Sequence, residues 1–281
     1  QVLLVPEQYS HEAERRLCQT LGNGASARAE VLSFTRLWNR VLTQTGGLAE
    51  PVLDRGGRLL LMHQAVRALS SQLTLYAKPS RKAAFLEHLI ATSDELKSYC
   101  VSPEELAAAG GEEDSQDGQR LRELGLILAC YDGLTARLAA DPRDRLTKLA
   151  DKLKGCDYGR NMDFYLDSFT DFTPQQRQVL GQLMGRAHSV TVALTCDGLD
   201  GETEVFAPAR WTAQALVAEA RERRVPVTFS VLTERKDGAP EALRVLEQGL
   251  FGAAPACGET EGVRLLRADS PYQEVEQAAQ E

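Results

Sequence analysis

Apolar and polar positions change period twice along this chain. In the opening stretch, short apolar runs alternate with helical segments. Val2–Val5 has the composition of a buried strand. Glu7–Leu21 has helical composition and stops at Gly22-Asn23-Gly24. Val31–Phe34 is a second candidate strand, and Thr35–Thr43 predicts a helix that breaks at Gly46-Gly47. Strands alternating with helices predict a parallel sheet covered on both faces.

From about Asp54 the period is helical. Leu59, Met62, Val66 and Leu69 fall on one helix face, as do Leu86, Leu89 and Ile90, and again Leu121, Leu124, Leu128, Tyr131 and Leu138. Gly110–Gly118 carries four acids and no base and predicts an exposed loop. Ser102-Pro103-Glu104-Glu105 predicts a helix start, with serine as cap, proline in the first turn and glutamate reaching back. Asp141-Pro142-Arg143-Asp144 reads the same way. Residues 54–155 carry no strand signal.

The alternation then returns. Phe164-Tyr165-Leu166 predicts a strand ending at Asp167, and Thr173-Pro174-Gln175-Gln176 a capped helix lined by Val179, Leu180, Leu183 and Met184. Val190–Leu194 is a strand candidate, followed by a helix at Thr212–Arg223, a strand at Val225–Val231, a helix at Glu241–Leu250 and a last strand at Val263–Leu266. Ser270-Pro271 caps a final helix. The pattern is an α/β fold interrupted by an all-helical insertion. It opens on a strand and closes inside a helix, so a piece of a longer protein is expected.

Composition narrows the class. The 281 residues are 43% hydrophobic and 26% charged, values of a folded globular chain. The net charge of −8 offers no basic tail to nucleic acid, although a local groove stays possible. Cysteines 18, 100, 130, 156, 196 and 257 form no C-x-x-C pair, which argues against a zinc site, an iron–sulfur cluster or a disulfide framework within this chain. The expectation is a reducing, cytoplasmic setting. No apolar run reaches the ~18 residues of a membrane helix, so no membrane partner is expected. Histidines 11, 63, 88 and 188 are dispersed and match no metal spacing.

Three tests bear on chemistry. A phosphate loop needs glycines followed by Lys and Ser/Thr, but the chain has no Gly-Lys pair, and no G-x-G-x-x-G follows a strand. Asp167, at a strand end, and Asp171 stand where a superfamily 1 helicase holds magnesium, yet Ser168 occupies the position of its Glu. Serine cannot activate water as a carboxylate does, and losing a general base costs ~10²–10⁴-fold. On the residues alone, both acids serve equally well in a strand-to-helix turn. Finally, Glu30–Arg40 sets Phe34, Arg36, Trp38 and Arg40 just after a strand. Aromatics stack bases and arginine contacts phosphate or base edges. The same residues read equally as core aromatics and solvated arginines.

Several segments together resemble the AddB (RexB) family. They are Leu3-Leu4-Val5-Pro6-Glu7-Gln8-Tyr9 with Ala13-Glu14; Ala29–Leu37 with Thr45-Gly46-Gly47; Phe164–Phe169 with Phe172–Gln176; Val190–Thr195; and Ser270-Pro271 with Glu274-Val275-Glu276. Each motif is weak alone; their order and spacing across nearly the whole chain are specific. AddB is the second subunit of the bacterial AddAB helicase–nuclease, which processes double-strand breaks for homologous recombination, with AddA as motor and partner. The resemblance implies a RecA-like, superfamily 1 helicase-like sheet (1A, residues 1–52 and 156–257), a helical insertion (1B, 53–155) and the start of domain 2 (258–281). It implies a single-stranded DNA path carried over to Phe34, Arg36 and Phe169, with Gln8 and Trp38 beside them. The family often has its aromatic one position after Trp38, where this chain has Asn39, so a core role stays open for Trp38. The parent's ATP, Mg²⁺ and iron–sulfur cluster are implied to lie outside this chain, which needs no cofactor of its own and carries no catalytic residue. The expected function is a motor-inactive DNA-binding portion of AddB that contributes to reading the Chi sequence. The alternatives are an ATP-binding half whose phosphate loop lies upstream, or a docking body for AddA.

Overall fold

The computed structural model describes residues 1–22, 24, 28–47, 49–77, 82–111, 115–232, 240–250 and 263–280. They fall into two units, 1–227 and 228–281. The domain boundary expected at 257/258 lies outside the described residues, as do Asn23 and Cys257.

Four parallel strands form the sheet of the first unit: β1 (Val2–Leu4), β2 (Glu30–Leu32), β3 (Asp163–Leu166) and β4 (Ser189–Val192), in the order β2-β1-β3-β4. The register sets Leu4 between Leu32 and Leu166, and Leu166 beside Val192. The ladder runs one step further. The N–H groups of Val5, Asp167 and Ala193 donate to the carbonyls of Leu32, Leu4 and Leu166 at 3.0, 3.1 and 2.9 Å. The strands' carboxyl ends therefore finish level. From β1 the chain crosses to one side for β2 and returns to the other for β3. In open parallel sheets such a reversal leaves a crevice at the carboxyl ends, where ligands bind.

The helices of this unit are α1 (Ser10–Leu21), α2 (Phe34–Thr45), α3 (Arg55–Ala68), α4 (Ala83–Ser98), α5 (Pro103–Ala109), α6 (Gln116–Leu138), α7 (Arg145–Lys154), α8 (Pro174–Met184) and α9 (Ala207–Glu222). They build two cores. The first packs Val2, Leu4, Phe164 and Leu166 of the sheet against Leu37 and Val41 of α2, Leu149 and Leu153 of α7, and Val179, Leu180 and Leu183 of α8. The second joins Leu61, Met62 and Val66 of α3, Leu86 and Leu89 of α4, and Ile127, Leu128 and Tyr131 of α6. Each such side chain contributes about 1.5–3 kcal/mol by leaving water. Where the chain passes between the cores, its two crossings lie side by side. Val52 pairs with Ala140, the Leu53 N–H donates to the Ala140 carbonyl (3.0 Å), and the Ala140 N–H to the Pro51 carbonyl (2.8 Å).

Local signals explain the helix starts. Ser102 and Glu105 form the expected capping box on α5, and Thr173 and Gln176 form one on α8, each with proline in the first turn. Ser33 caps α2 one residue earlier than the pattern predicts, its hydroxyl accepting from the Arg36 N–H at 3.2 Å. The predicted acidic loop is shorter than expected, because α6 already begins at Gln116. Mid-helix Gly125 is required by a close approach: a Cβ there would lie 2.7 Å from the Pro103 carbonyl of α5. Leu138, grouped with the buried face, is 61% exposed at the helix end. Although α7 falls within the stretch read as the helical insertion, it packs into the sheet's core.

Two predicted strands do not form. Residues 225–232 carry no regular structure, with Val231 80% and Leu232 88% exposed. Residues 263–268 are likewise irregular. A β-branched run becomes a strand only when a neighbouring strand pairs with it, and among the described residues neither run has one. In the second unit, α10 (Glu241–Gly249) and α11 (Pro271–Gln280) are helical. α11 starts at the predicted Ser-Pro, where Ser270 Oγ accepts from the Gln273 N–H at 3.3 Å. Among the described residues no helix is long and apolar enough to cross a membrane, and the five described cysteines are unpaired.

Candidate nucleic-acid interface

A cleft of about 940 Å³ opens at the carboxyl ends of the strands. The turn after β1 supplies Val5 to Gln8, the start of α2 supplies Ser33, Phe34, Thr35 and Trp38, and the turn after β3 supplies Ser168 to Asp171. Facing them are residues of α3, α4 and the Pro142–Arg145 segment.

Aromatics make the floor. Phe34 sets its ring against Phe169 edge to face, centroids 5.9 Å apart, and Phe169 packs on Phe172 at 4.8 Å. Phe34 and Phe172 are each 7% exposed, whereas Phe169 is only partly buried. Phe169 is therefore the most accessible of the three rings, packed against the other two. Trp38 lines the cleft too, but is 8% exposed and belongs to the core.

The helical period sorts the residues read from Glu30–Arg40. On α2, Phe34, Leu37, Trp38, Val41 and Leu42 face inward. Positions two apart on a helix point to different sides. Arg36 accordingly leaves the cleft and pairs with Glu14 of α1 at 2.6 Å. Arg40, on the same outer side, pairs with Glu30. The structure thus gathers Gln8, Phe34, Trp38, Phe169 and Asp171 at the cleft and leaves out Arg36 and Asp167. Asp167 is exposed at the end of β3, its N–H spent on the Leu4 carbonyl. Ser168 follows with φ of 65°, a left-handed conformation costly for a residue with a Cβ. It turns the chain sharply enough to aim Phe169 at the floor.

The opposite wall is charged, and sequence reading missed it. Arg58 is buried and pairs with Asp94 and with Asp141, whose side chain is fully buried. Tyr131 donates its hydroxyl to Asp141 at 2.9 Å. Lys97 pairs with Asp144 at 2.8 Å and Asp132 at 3.0 Å, and Arg143 with Asp94 at 3.0 Å. Burial works against the charge on Arg58 and Lys97, but the neighbouring carboxylates outweigh it and push both pKa values up. Burial would also raise Asp141, yet the Arg143 N–H, Lys97, Arg58 and the Tyr131 hydroxyl hold it below the usual carboxylate range. Gln175 of α8 donates to the Arg143 carbonyl and to Thr147 Oγ1, both at 3.0 Å, and so fixes this wall to the helix after the Phe169 turn. The residues of the wall, from Arg58 to Arg145, stand twenty or more positions from those of the floor, at 34–38 and 168–171, too far for any local motif to join them.

Comparison with known proteins settles the family. The family model described as "ADDB, N-terminal" matches residues 1–247. The chain belongs to the AddB N-terminal family. Among relatives of this AddB-family chain is the B subunit of the ATP-dependent helicase/deoxyribonuclease of Thermoanaerobacter sp. (strain X514), 33% identical over 292 residues that take in 100% of this chain and 25% of that protein. The proteins of the same name from Acetivibrio thermocellus and Clostridioides difficile (strain 630) are 32% and 29% identical, again over 100% of this chain and 25% and 26% of theirs. The chain spans about a quarter of the length of the curated relatives it matches.

An AddB-family chain raises the question of ATP and magnesium. The turn after β1 and the described acids do not fit them. The turn after β1 is Val5-Pro6-Glu7-Gln8, where Pro6 has no N–H to give a phosphate and Glu7 would repel one. Among the described residues no three His, Cys, Asp or Glu side chains converge to hold a metal ion.

Proposed function

We propose that this chain is a motor-inactive, helicase-like part of an AddB subunit, and that its cleft holds single-stranded DNA while a partner AddA-type subunit moves it. On this reading residues 1–52 and 156–257 form a RecA-like body and 53–155 a helical insertion, with the strand running between floor and wall. The observation that carries it is Phe169, a ring propped by Phe34 and Phe172 at the carboxyl ends of a parallel sheet. Stacking on one aromatic is worth ~1–3 kcal/mol per base and is tolerant of sequence. Reading of Chi would then depend on the polar groups around it, Gln8 and Asp171 among them. The break-processing role, the ATP, Mg²⁺ and iron–sulfur chemistry of the parent and a cytoplasmic setting are part of the same proposal.

The test is a fluorescence-anisotropy titration of a labelled oligothymidine against the folded chain across a salt series. The expected result is binding that weakens as salt rises, with a matched duplex binding less well. Absence of binding at low salt would overturn it. A second reading, a docking body for AddA, is supported by Leu60 of α3 and Leu126 of α6, 57% and 43% exposed. It predicts that replacing those leucines weakens association with AddA and leaves oligonucleotide affinity unchanged.

A further inference from the structure

The cleft carries four arginines, Arg55, Arg58, Arg143 and Arg145, and as many acids, so its overall charge does not select an anion. What distinguishes the arginines is their engagement. Arg55 pairs with Glu87, Arg58 with Asp94 and Asp141, and Arg143 with Asp94. Arg145, the first residue of α7, makes no side-chain ion pair with any described residue. Its Nε is buried away from solvent and finds no protein acceptor. A buried, unpaired guanidinium N–H is costly to keep. The side chain lines the cleft on the wall opposite the aromatic floor.

We propose that Arg145 is the phosphate anchor of this cleft, taking one phosphodiester of a single strand whose base lies on Phe169. This rests on the single-strand reading above and adds to it the residue that grips the backbone. Guanidinium suits the task because its planar fork donates two parallel hydrogen bonds to a phosphate. Floor and wall divide the work: the ring takes the face of a base, and the arginine takes the backbone beside it. The neighbouring arginines each already hold a carboxylate, Arg55 that of Glu87, Arg58 those of Asp94 and Asp141, and Arg143 that of Asp94, whereas Arg145 holds none among the described residues.

The test compares wild type with Arg145→Gln, Arg145→Met and Arg145→Lys, using a labelled oligothymidine over a salt series, each variant first checked by its thermal melt. Because Arg145 Nε has no protein partner to lose, the uncharged variants are expected to melt as wild type does. Arg160→Gln is the control: it removes one positive charge from an exposed arginine that pairs with Asp157 away from the cleft. The expected result is affinity about tenfold lower in Arg145→Gln and Arg145→Met. Their slope of log affinity against log salt should be smaller by about 0.7, one released counterion for a single strand. Arg145→Lys should keep the slope, and Arg160→Gln should leave both unchanged. Wild-type binding with the same slope in Arg145→Gln and Arg160→Gln overturns the anchor and leaves the single-strand reading standing. Absence of wild-type binding overturns both. Competition of the oligonucleotide by ATP or inorganic phosphate at equal phosphate concentration, lost in Arg145→Gln, would make the site one for a free phosphate group and overturn the backbone assignment.

Discussion

Phe34 meets Phe169 edge to face at 5.9 Å, a contact between residues 135 positions apart that closes the floor of the cleft. The two rings do different jobs. Both line the cleft, but Phe34 is 7% exposed and packs in the core, whereas Phe169 is only partly buried. Phe169→Ala is therefore expected to weaken oligonucleotide binding by ~1–3 kcal/mol and to cost little stability. Phe34→Ala, a large-to-small change in a core, is expected to cost ~3–5 kcal/mol of stability. Denaturant melts and anisotropy titrations on both variants check this. Equal loss of stability in the two would show that Phe169 is simply another core ring.

Arg36 reaches a bound strand only by leaving Glu14. Its pair with that residue is half exposed, 40% and 41% for the two side chains, and such pairs are worth ~0–1 kcal/mol. Glu14→Gln frees the guanidinium. If Arg36 lies on the strand's path, as the family resemblance implies, Glu14→Gln binds an oligonucleotide up to about fivefold more tightly. The gain disappears in the double variant with Arg36→Ala. Unchanged affinity in Glu14→Gln would take Arg36 off the path.

Much of the frame was legible because its signals are local. The strand at Phe164–Leu166 and the capping boxes at Ser102 and Thr173 need only neighbours along the chain, and each formed as read. The floor was half legible: Phe34 and Phe169 stood out as aromatics after strands, but only the period of α2 separates Phe34 from Arg36. The wall was not legible at all. Arg145 joins the cleft because α7 packs on α8 and α2, a tertiary event with no local signature. Val225–Val231 failed for the complementary reason. Its composition suits a strand, but among the described residues no strand pairs with it.

Ser168 sits at φ 65°, between the last residue of the β3 ladder and Phe169. A left-handed backbone costs a residue with a Cβ about 1–2 kcal/mol, and glycine largely escapes that cost. Ser168→Gly is expected to leave stability unchanged or raise it by about 1 kcal/mol, with oligonucleotide affinity kept because the turn is the same. Ser168→Val, β-branched and ill suited to this conformation, should lose at least as much. Urea melts of the two variants decide it. A clear loss of stability in Ser168→Gly would mean that the serine hydroxyl, and not the turn, is what the site needs.

The buried pair of Tyr131 and Asp141 makes the wall sensitive to acid in a definite direction. Asp141 is held below the usual carboxylate range, so its charged form is favoured in the folded chain. Stability from that preference is fully present above the unfolded pKa, near ~3.9. It is lost as pH falls through the lower folded value. Asp132 is shifted the other way: burial outweighs Lys97 and raises its pKa. Its contribution favours the protonated form, so it is present below the unfolded pKa and fades as pH rises through the folded one. Asp141→Asn leaves Arg58 and Lys97 short of a buried partner, which at neutral pH costs ~3–5 kcal/mol. The gap in stability between wild type and Asp141→Asn should narrow as pH falls below about 4, because the wild-type carboxylate is then being protonated too. Asp132→Asn should show the reverse, with its deficit against wild type largest in acid. Urea melts at a series of pH values measure both gaps. A gap for Asp141→Asn that stays constant into acid would show that the charge on Asp141 does not hold this wall together.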